Sequence, residues 1–340
     1  MTVDLRQELA RRLRIPQQSI RRDEPLAPHT SIGVGGPADY YIAPQDAATI
    51  HALPAVCRDL GLPLTVFGYG TNLVIADSGL RGVVLQIDRN SADIRLLAPD
   101  DPLLALLRER GRGGHAAAAP GAAWLLASSG TALGQLAHFA QRRSLTGLEA
   151  AHGIPGSVGG AVYMNAGAYG FQMADVVVMS RALEMATGEV RARFGAEHGF
   201  DYRRSCYADS GDIILDVLIC LSSGAQDEIL MRMRDFNERR RASQPLDLPS
   251  AGSVFKRPTG HYAGKLIAEA GLQGTRVGDA EVSTKHAGFI VNRGRASAED
   301  VRALVMQIQQ TVDRLFGVWL TPEVRFLGWA EENGGIPGAR

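Results

Sequence analysis

Leu5, Leu9 and Leu13 recur at helical spacing with Arg11, Arg12 and Arg14 among them, which predicts a short amphipathic helix that stops before Pro16. Gln45 to Leu60 keeps a helical pattern and is expected to be interrupted at Pro54. Pro63–Phe67, Leu73–Ala76 and Val83–Ile87 are short β-prone runs, with the loop Gly68–Asn72 between the first two. Thr131–Arg142 returns to helical spacing through Leu133, Leu136 and Ala140. Strands are then predicted over Val176–Val178, Arg181–Met185, Glu189–Phe194 and Ile213–Leu221, followed by a helix over Glu228–Arg241. The most regular stretch is Ser297–Phe316, which gathers Val301, Leu304, Val305, Ile308, Val312 and Leu315 on one face and stops at Gly317. A charged strand over Leu320–Phe326 closes the pattern.

The stretch Gly147–Gly170, GLEAAHGIPGSVGGAVYMNAGAYG, breaks this alternation with seven glycines among small residues. Glycine is costly in a folded segment and is kept where the chain needs positive φ or lies against another group without a Cβ between them. Ile154-Pro155-Gly156 and Asn165-Ala166-Gly167 read as turns, and Gly160–Met164 as a short buried strand. Such an array exposes backbone N–H groups on one side and suits an anion such as a cofactor pyrophosphate. The loop Gly68-Tyr69-Gly70-Thr71-Asn72 reads either as a hairpin turn or as a second phosphate cradle.

Two formal motif matches fail on context. Gly33, Gly35 and Ala38 satisfy a dinucleotide-binding spacing, but Pro37 and the β-rich Tyr40-Tyr41-Ile42 follow where a helix is required. In GHYAGKL the glycine spacing is one residue short of a P-loop and Leu266 stands where a hydroxyl is needed.

Composition narrows the function. The chain has 340 residues, 45% of them hydrophobic, and 36 basic against 36 acidic residues, so it carries no overall charge for nucleic acid or anionic lipid. Cys57, Cys206 and Cys220 have no paired spacing, which argues against a disulfide framework and for a reducing, cytoplasmic setting. The charged N-terminal stretch lacks a secretory apolar core, and no run reaches membrane-span length. The eight histidines are scattered, so no metal site is expected. Arg203-Arg204 beside Phe200 and Tyr202 can clamp a carboxylate or phosphate, or form a surface pair, and Arg239-Arg240-Arg241 can simply serve a helix C-terminus. Asp88–Ser129, of low complexity in its centre, reads as an insertion.

Taken together, GLEAAHGIPGSVGGAVYMNAGAYG, QPLDLPSAGSVFK, STKHAGFIVN and TPEVRFLG resemble the UDP-N-acetylenolpyruvoylglucosamine reductase (UDP-N-acetylmuramate dehydrogenase) family over nearly the whole chain. The continuous run Tyr163–Arg203 is similar to the shorter-looped type II form. The resemblance implies an α+β protein. Its two-part FAD-binding half, of the vanillyl-alcohol oxidase type, would precede a smaller α+β substrate-binding domain. The corresponding boundaries are 1–88 and 89–225 for the two FAD-binding subdomains, with an insertion within 89–129. The substrate domain would span 226–320, and 321–340 would return towards the FAD-binding half.

The resemblance also implies roles. FAD would meet Tyr69, Gly70, Thr71 and Asn72. It would also meet Gly153, Ile154, Pro155, Gly156, Ser157, Gly159, Gly160 and Ala161, and then Asn165, Ala166, Gly167 and Ala168. NADPH would reduce the flavin, which would pass hydride to C3 of an enolpyruvyl nucleotide sugar, with protonation at C2. Arg203 matches the residue that holds the substrate carboxylate, Glu323 the acid that assists it and Ser253 the proton donor. Tyr202, Arg257, Lys265 and Arg325 are candidate substrate contacts. Strict alternation along Ser253–Lys256 would turn Lys256 away from Ser253 and leave it without a catalytic role. His286 is expected to hydrogen-bond locally. A flavin oxidase with another substrate, or a non-catalytic flavin- or nucleotide-binding protein, remain open alternatives at this point.

Overall fold

A computed structural model of the chain describes residues 4–109 and 122–329. Helix α1 (Leu5–Leu13) starts at Asp4, whose carboxylate accepts from the Arg6 N–H, and buries Leu9 and Leu13. A four-stranded sheet follows, made of β1 (Ile20–Pro25), β2 (Pro37–Ile42), β3 (Leu64–Phe67) and β5 (Leu80–Gln86), in the order β1-β2-β5-β3. Helix α2 (Ala47–Asp59) runs through Pro54 without interruption. The buried ring fills the packed face, and one missing N–H is outweighed by the burial of Leu53 and Val56 around it.

Strand β4 (Leu73–Ile75) does not pair with β3, so the Gly68–Asn72 loop is not a hairpin turn. β3 pairs in parallel with β5, and β4 pairs in parallel with β18 (Arg325–Leu327) at the far end of the chain. The closing strand is accordingly shorter than the apolar pattern suggested.

The second lobe is an antiparallel sheet in the order β12-β11-β13-β7-β6, with β8 on the far end of β13. Its strands are β6 (Ile94–Leu96), β7 (Ala123–Ser128), β8 (Leu145–Thr146), β11 (Val177–Leu183), β12 (Val190–Phe194) and β13 (Ile213–Ser223). Helices α3 (Pro102–Glu109) and α4 (Leu133–Gln141) pack on opposite faces. Leu125 and Ala127 of β7 point to the α4 side, while Leu126 meets Leu104 and Leu107 of α3. A sheet covered on both faces needs apolar residues at successive positions, which is why these strands read as apolar runs.

Two strands of the sheet, β6 and β7, lie within the stretch 89–129 that reads as an insertion. β6 and β7 pair with each other, and β7 pairs along β13. The low-complexity centre of that stretch lies outside the described residues. The two strands expected over 176–185 are one strand with register shifts on its β13 side.

Helix α5 (Val158–Tyr163) replaces the strand expected at Gly160–Met164. Ser157 caps it by accepting from the Gly160 N–H. A small ladder of β9 (Gly167–Ala168) and β10 (Phe171–Gln172) follows, and the single-turn helix α6 (Tyr207–Ser210) precedes β13. Helix α7 (Gln226–Ser243) buries Ile229 and Met233 in this lobe's core, and its Arg232 pairs with Glu149 at 2.7 Å. The boundary drawn at 226 thus cuts off a helix that packs with the second lobe.

The third unit is a sheet in the order β14-β17-β16-β15, built from β14 (Ser250–Ser253), β15 (Arg276–Val277), β16 (Ala280–Val282) and β17 (Phe289–Asn292). Helices α8 (Ala263–Glu269) and α9 (Ala298–Phe316) accompany it. α9 has a Ser297–Asp300 capping box and ends at Gly317 with φ +66°. Asp77 of the first lobe accepts from the Ala298 and Glu299 N–H groups at 2.9 and 3.0 Å, tying α9 to that lobe. Ser253 is the last residue of β14.

Candidate active site

The Gly68–Asn72 loop and the Gly153–Ala161 run face each other. Gly70, at φ +65°, turns the loop, and a Cβ there would fall 2.1 Å from the His29 carbonyl oxygen. A Cβ on Gly68 would lie 2.4 Å from Ser157 Oγ, and one on Gly156 would lie 2.9 Å from Thr71 Oγ1. Gln86 donates from Nε2 to the Gly68 carbonyl at 2.8 Å, and Tyr69 donates its hydroxyl to the Gly130 carbonyl at 2.8 Å. Among the described residues, no protein acceptor is paired with the backbone N–H groups of Gly68, Tyr69, Gly70, Thr71 and Asn72. Backbone donors are normally paired, so a run of open ones fits an anionic ligand such as a pyrophosphate.

Two further glycines of the central stretch are required by packing within the protein. Gly159 is small because Ser129 lies 2.7 Å from where its Cβ would be, and Gly167 because the Phe171 carbonyl lies 2.3 Å away. Ile154 and Ala166 pack against the second core, and Ala161 is buried in it. Asn165 is buried at φ +42°. Its side chain accepts from the Ala174 N–H and donates to Gln172 and to the Asp201 carbonyl, joining the Asn165–Ala168 turn to the Arg203 loop.

Arg203 adopts φ +54°, a backbone setting rare outside glycine and Asn, at the tip of that loop. Its NH2 group donates to the Gly167 carbonyl at 2.9 Å and its Nε to Glu323 Oε1 at 2.7 Å. Glu323 is placed by its own N–H, which donates to the Val254 carbonyl at 2.7 Å, one residue beyond Ser253. Arg203, Ser253 and Glu323 thereby line one cavity of about 440 Å³. Burial raises the Glu323 carboxyl above the usual carboxylate range, and the nearby Arg203 and Lys256 cations offset this only in part. Asn72 links this cavity to the phosphate loop: its Nδ2 donates to the Glu323 carbonyl at 3.1 Å and its own carbonyl accepts from the Arg325 N–H at 2.9 Å.

Tyr202, Arg257 and Lys265 line the same cavity, with the Arg257 guanidinium 3.9 Å from the Tyr262 ring centroid. Arg325 is not among its lining residues. It lies 4.9 Å from the Tyr163 ring, and burial lowers its pKa. Gln273 and Lys285, which carried no sequence signal of their own, join the wall together with Tyr262. So does His286, whose Nδ1 also accepts from the Gly288 N–H at 3.1 Å. The alternation argument about Lys256 fails because the strand ends at Ser253 and Phe255 bridges to Pro322. The chain bends there, and the Lys256 ammonium comes within electrostatic reach of Glu323.

Among the described residues there is no group of three or more potential metal ligands, and no helix is long and apolar enough to cross a membrane.

Comparison with known proteins follows this geometry. Residues 38–192 match the model of a FAD binding domain, and residues 244–327 match the UDP-N-acetylenolpyruvoylglucosamine reductase C-terminal domain. The UDP-N-acetylenolpyruvoylglucosamine reductase of Agathobacter rectalis is 42% identical over 314 residues, covering 92% of this chain and 96% of that protein. The Levilactobacillus brevis protein of the same name is 43% identical, with 92% and 94% covered. The crystal structure of UDP-N-acetylenolpyruvylglucosamine reductase from Thermus caldophilus superposes with a TM-score of 0.71 at 32% identity, covering 91% of this chain and all of that one.

Proposed function

This chain belongs to the UDP-N-acetylenolpyruvoylglucosamine reductase family, and we propose that it reduces UDP-N-acetylglucosamine enolpyruvate to UDP-N-acetylmuramate at the expense of NADPH. It is an oxidoreductase with FAD as cofactor. The observation that carries the finer reading is the meeting of Arg203, Glu323 and Ser253 in one cavity, tied through Asn72 to a loop of open backbone donors. These residues fit FAD: Gly68–Asn72 would hold the pyrophosphate, and the turns at Gly153–Gly156 and Asn165–Ala168 would flank the rest. When bound, FAD supplies hydride transfer from NADPH to C3 of the enolpyruvyl group.

The protein's own work is electrostatic and proton-transferring. Hydride arrival at C3 pushes negative charge through C2 onto the substrate carboxylate. Arg203, already held by the Gly167 carbonyl, presents its guanidinium to that carboxylate. Glu323, whose pKa burial raises above the usual carboxylate range, holds the Arg203 guanidinium through its Nε and assists it at the developing charge. The Ser253 hydroxyl delivers the proton to C2. Serine is a weak acid, so this step needs the strongly basic carbanion that the other two residues make attainable. Tyr202, Arg257 and Lys265 face the nucleotide diphosphate.

The setting that follows is the cytoplasm, in the synthesis of peptidoglycan precursors, and thus in support of cell wall, cell shape and division. The partner is a small nucleotide sugar. The test is turnover of the enolpyruvyl nucleotide with NADPH, wild type against Arg203→Met, which should lose the second half-reaction and keep the first.

A further inference from the structure

In the Arg239-Arg240-Arg241 cluster that ends α7, the three arginines differ sharply. Arg239 is exposed and paired with Asp235 at 2.8 Å, and Arg241 is exposed. Arg240 is only 8% exposed. Its Nε is buried without a hydrogen-bond partner, and among the described residues its side chain forms no ion pair. Service to a helix C-terminus does not explain this, because that role keeps the cation beside the last carbonyls, whereas Arg240 turns into the protein. A buried guanidinium without a countercharge carries a desolvation cost that proteins rarely leave uncompensated.

What surrounds Arg240 identifies the missing partner. A Cβ on Gly153 would lie 2.8 Å from its Nε, so the glycine admits the guanidinium to the same glycine run that faces the phosphate loop. On another side the Tyr169 ring lies 5.7 Å away and stacks on Phe236. Tyr169 follows the turn whose Gly167 carbonyl holds Arg203. Arg240 thus borders both the glycine run at Gly153 and Tyr169, and Asn237, which also flanks Gly153, donates its amide to His152 at 2.8 Å.

We propose that Arg240 is a cofactor-binding residue whose guanidinium is the countercharge to an anionic oxygen edge of bound FAD. The inference rests on the FAD-binding reading above. FAD offers two such edges: the pyrophosphate, and the N1–C2 carbonyl edge of the pyrimidine ring, which gains charge on two-electron reduction.

The experiment titrates apoprotein with FAD and with riboflavin, and measures the midpoint potential of the bound flavin, for wild type, Arg240→Met and Arg240→Lys. Loss of one charge-assisted contact should weaken FAD binding by about tenfold or more in Arg240→Met, with Arg240→Lys recovering part of it. If the edge is the pyrophosphate, riboflavin affinity and potential stay at wild-type values. If it is the pyrimidine, the potential falls in Arg240→Met because the reduced, more anionic flavin loses its countercharge, and reduced flavin binds more weakly than oxidised. Gly153→Ala, which displaces the guanidinium without removing it, should move the same readouts and covers the case in which Arg240→Met does not fold. FAD affinity and potential both at wild-type values in a folded Arg240→Met protein would overturn the assignment. A wild-type apoprotein that binds no FAD would overturn the cofactor reading instead.

Discussion

Arg203 and Glu323, 120 positions apart in the chain, form an ion pair of 2.7 Å at the wall of one cavity. Burial raises the pKa of the carboxyl above the usual carboxylate range, and the Arg203 cation offsets this only in part.

Glu323→Gln separates stability from activity. A folded-state pKa raised above the unfolded value means that ionisation of Glu323 opposes folding, an effect absent below the unfolded pKa and growing as pH rises through the folded one. Gln retains an oxygen to accept from Arg203 and does not titrate. The apo variant should therefore melt higher than wild type at pH 7, with the difference closing towards pH 4. Its turnover should still fall. Thermal melts across that pH range, beside steady-state rates, check both halves.

Ser253→Ala should lose about 10²–10⁴-fold in turnover while flavin reduction by NADPH keeps its wild-type rate, because the hydroxyl serves only proton delivery. Stopped-flow measurement of each half-reaction distinguishes this from a general packing defect, which would slow both.

Gly68→Ala places a methyl group 2.4 Å from Ser157 Oγ, at the contact between the two cofactor loops. FAD affinity should drop about tenfold or more, since donor alignment is lost with the loop's position. The double variant Gly68→Ala, Ser157→Gly removes the obstructing hydroxyl and should recover part of the loss. An unchanged single variant would show that the loops tolerate separation.

Arg257→Ala should raise KM for the nucleotide sugar by about tenfold and leave flavin reduction by NADPH unchanged, as expected for a cation in the cavity wall that touches no reacting atom. A fall in kcat at constant KM would instead place Arg257 in the chemistry.

Elements governed by local patterning were legible in the sequence. α9 carries its apolar face and its Gly317 stop within one continuous stretch, and the structure keeps the stop and buries the face from Val301 to Val312, while Leu315 in the last turn is exposed. The motifs of the flavin loops and of the catalytic segments were equally visible. What escaped depends on contacts distant in the chain. Gly160–Met164 reads as a strand by composition, yet Ser157 capping and the close approach of Ser129 to Gly159 make it a helix. β4 looks like half of a hairpin with β3, but its partner arrives some 250 residues later, at Arg325–Leu327. The supposed insertion hides strands whose apolar runs make sense only once both faces of the sheet are covered. Lys256 was turned away by an alternation rule that applies only while the strand continues, and it ends at Ser253. Arg240 looked like its neighbours because burial has no signature in a run of three arginines.

In the proposed reaction one bound flavin takes hydride from NADPH and passes it to the nucleotide sugar. The most direct measurement is the anaerobic absorbance spectrum of the purified, FAD-loaded protein, first with one equivalent of NADPH and then with UDP-N-acetylglucosamine enolpyruvate. Loss of the oxidised flavin band on adding NADPH and its full return on adding the nucleotide is the expected result. A flavin that bleaches and stays bleached, recolouring only when oxygen is admitted, would contradict it.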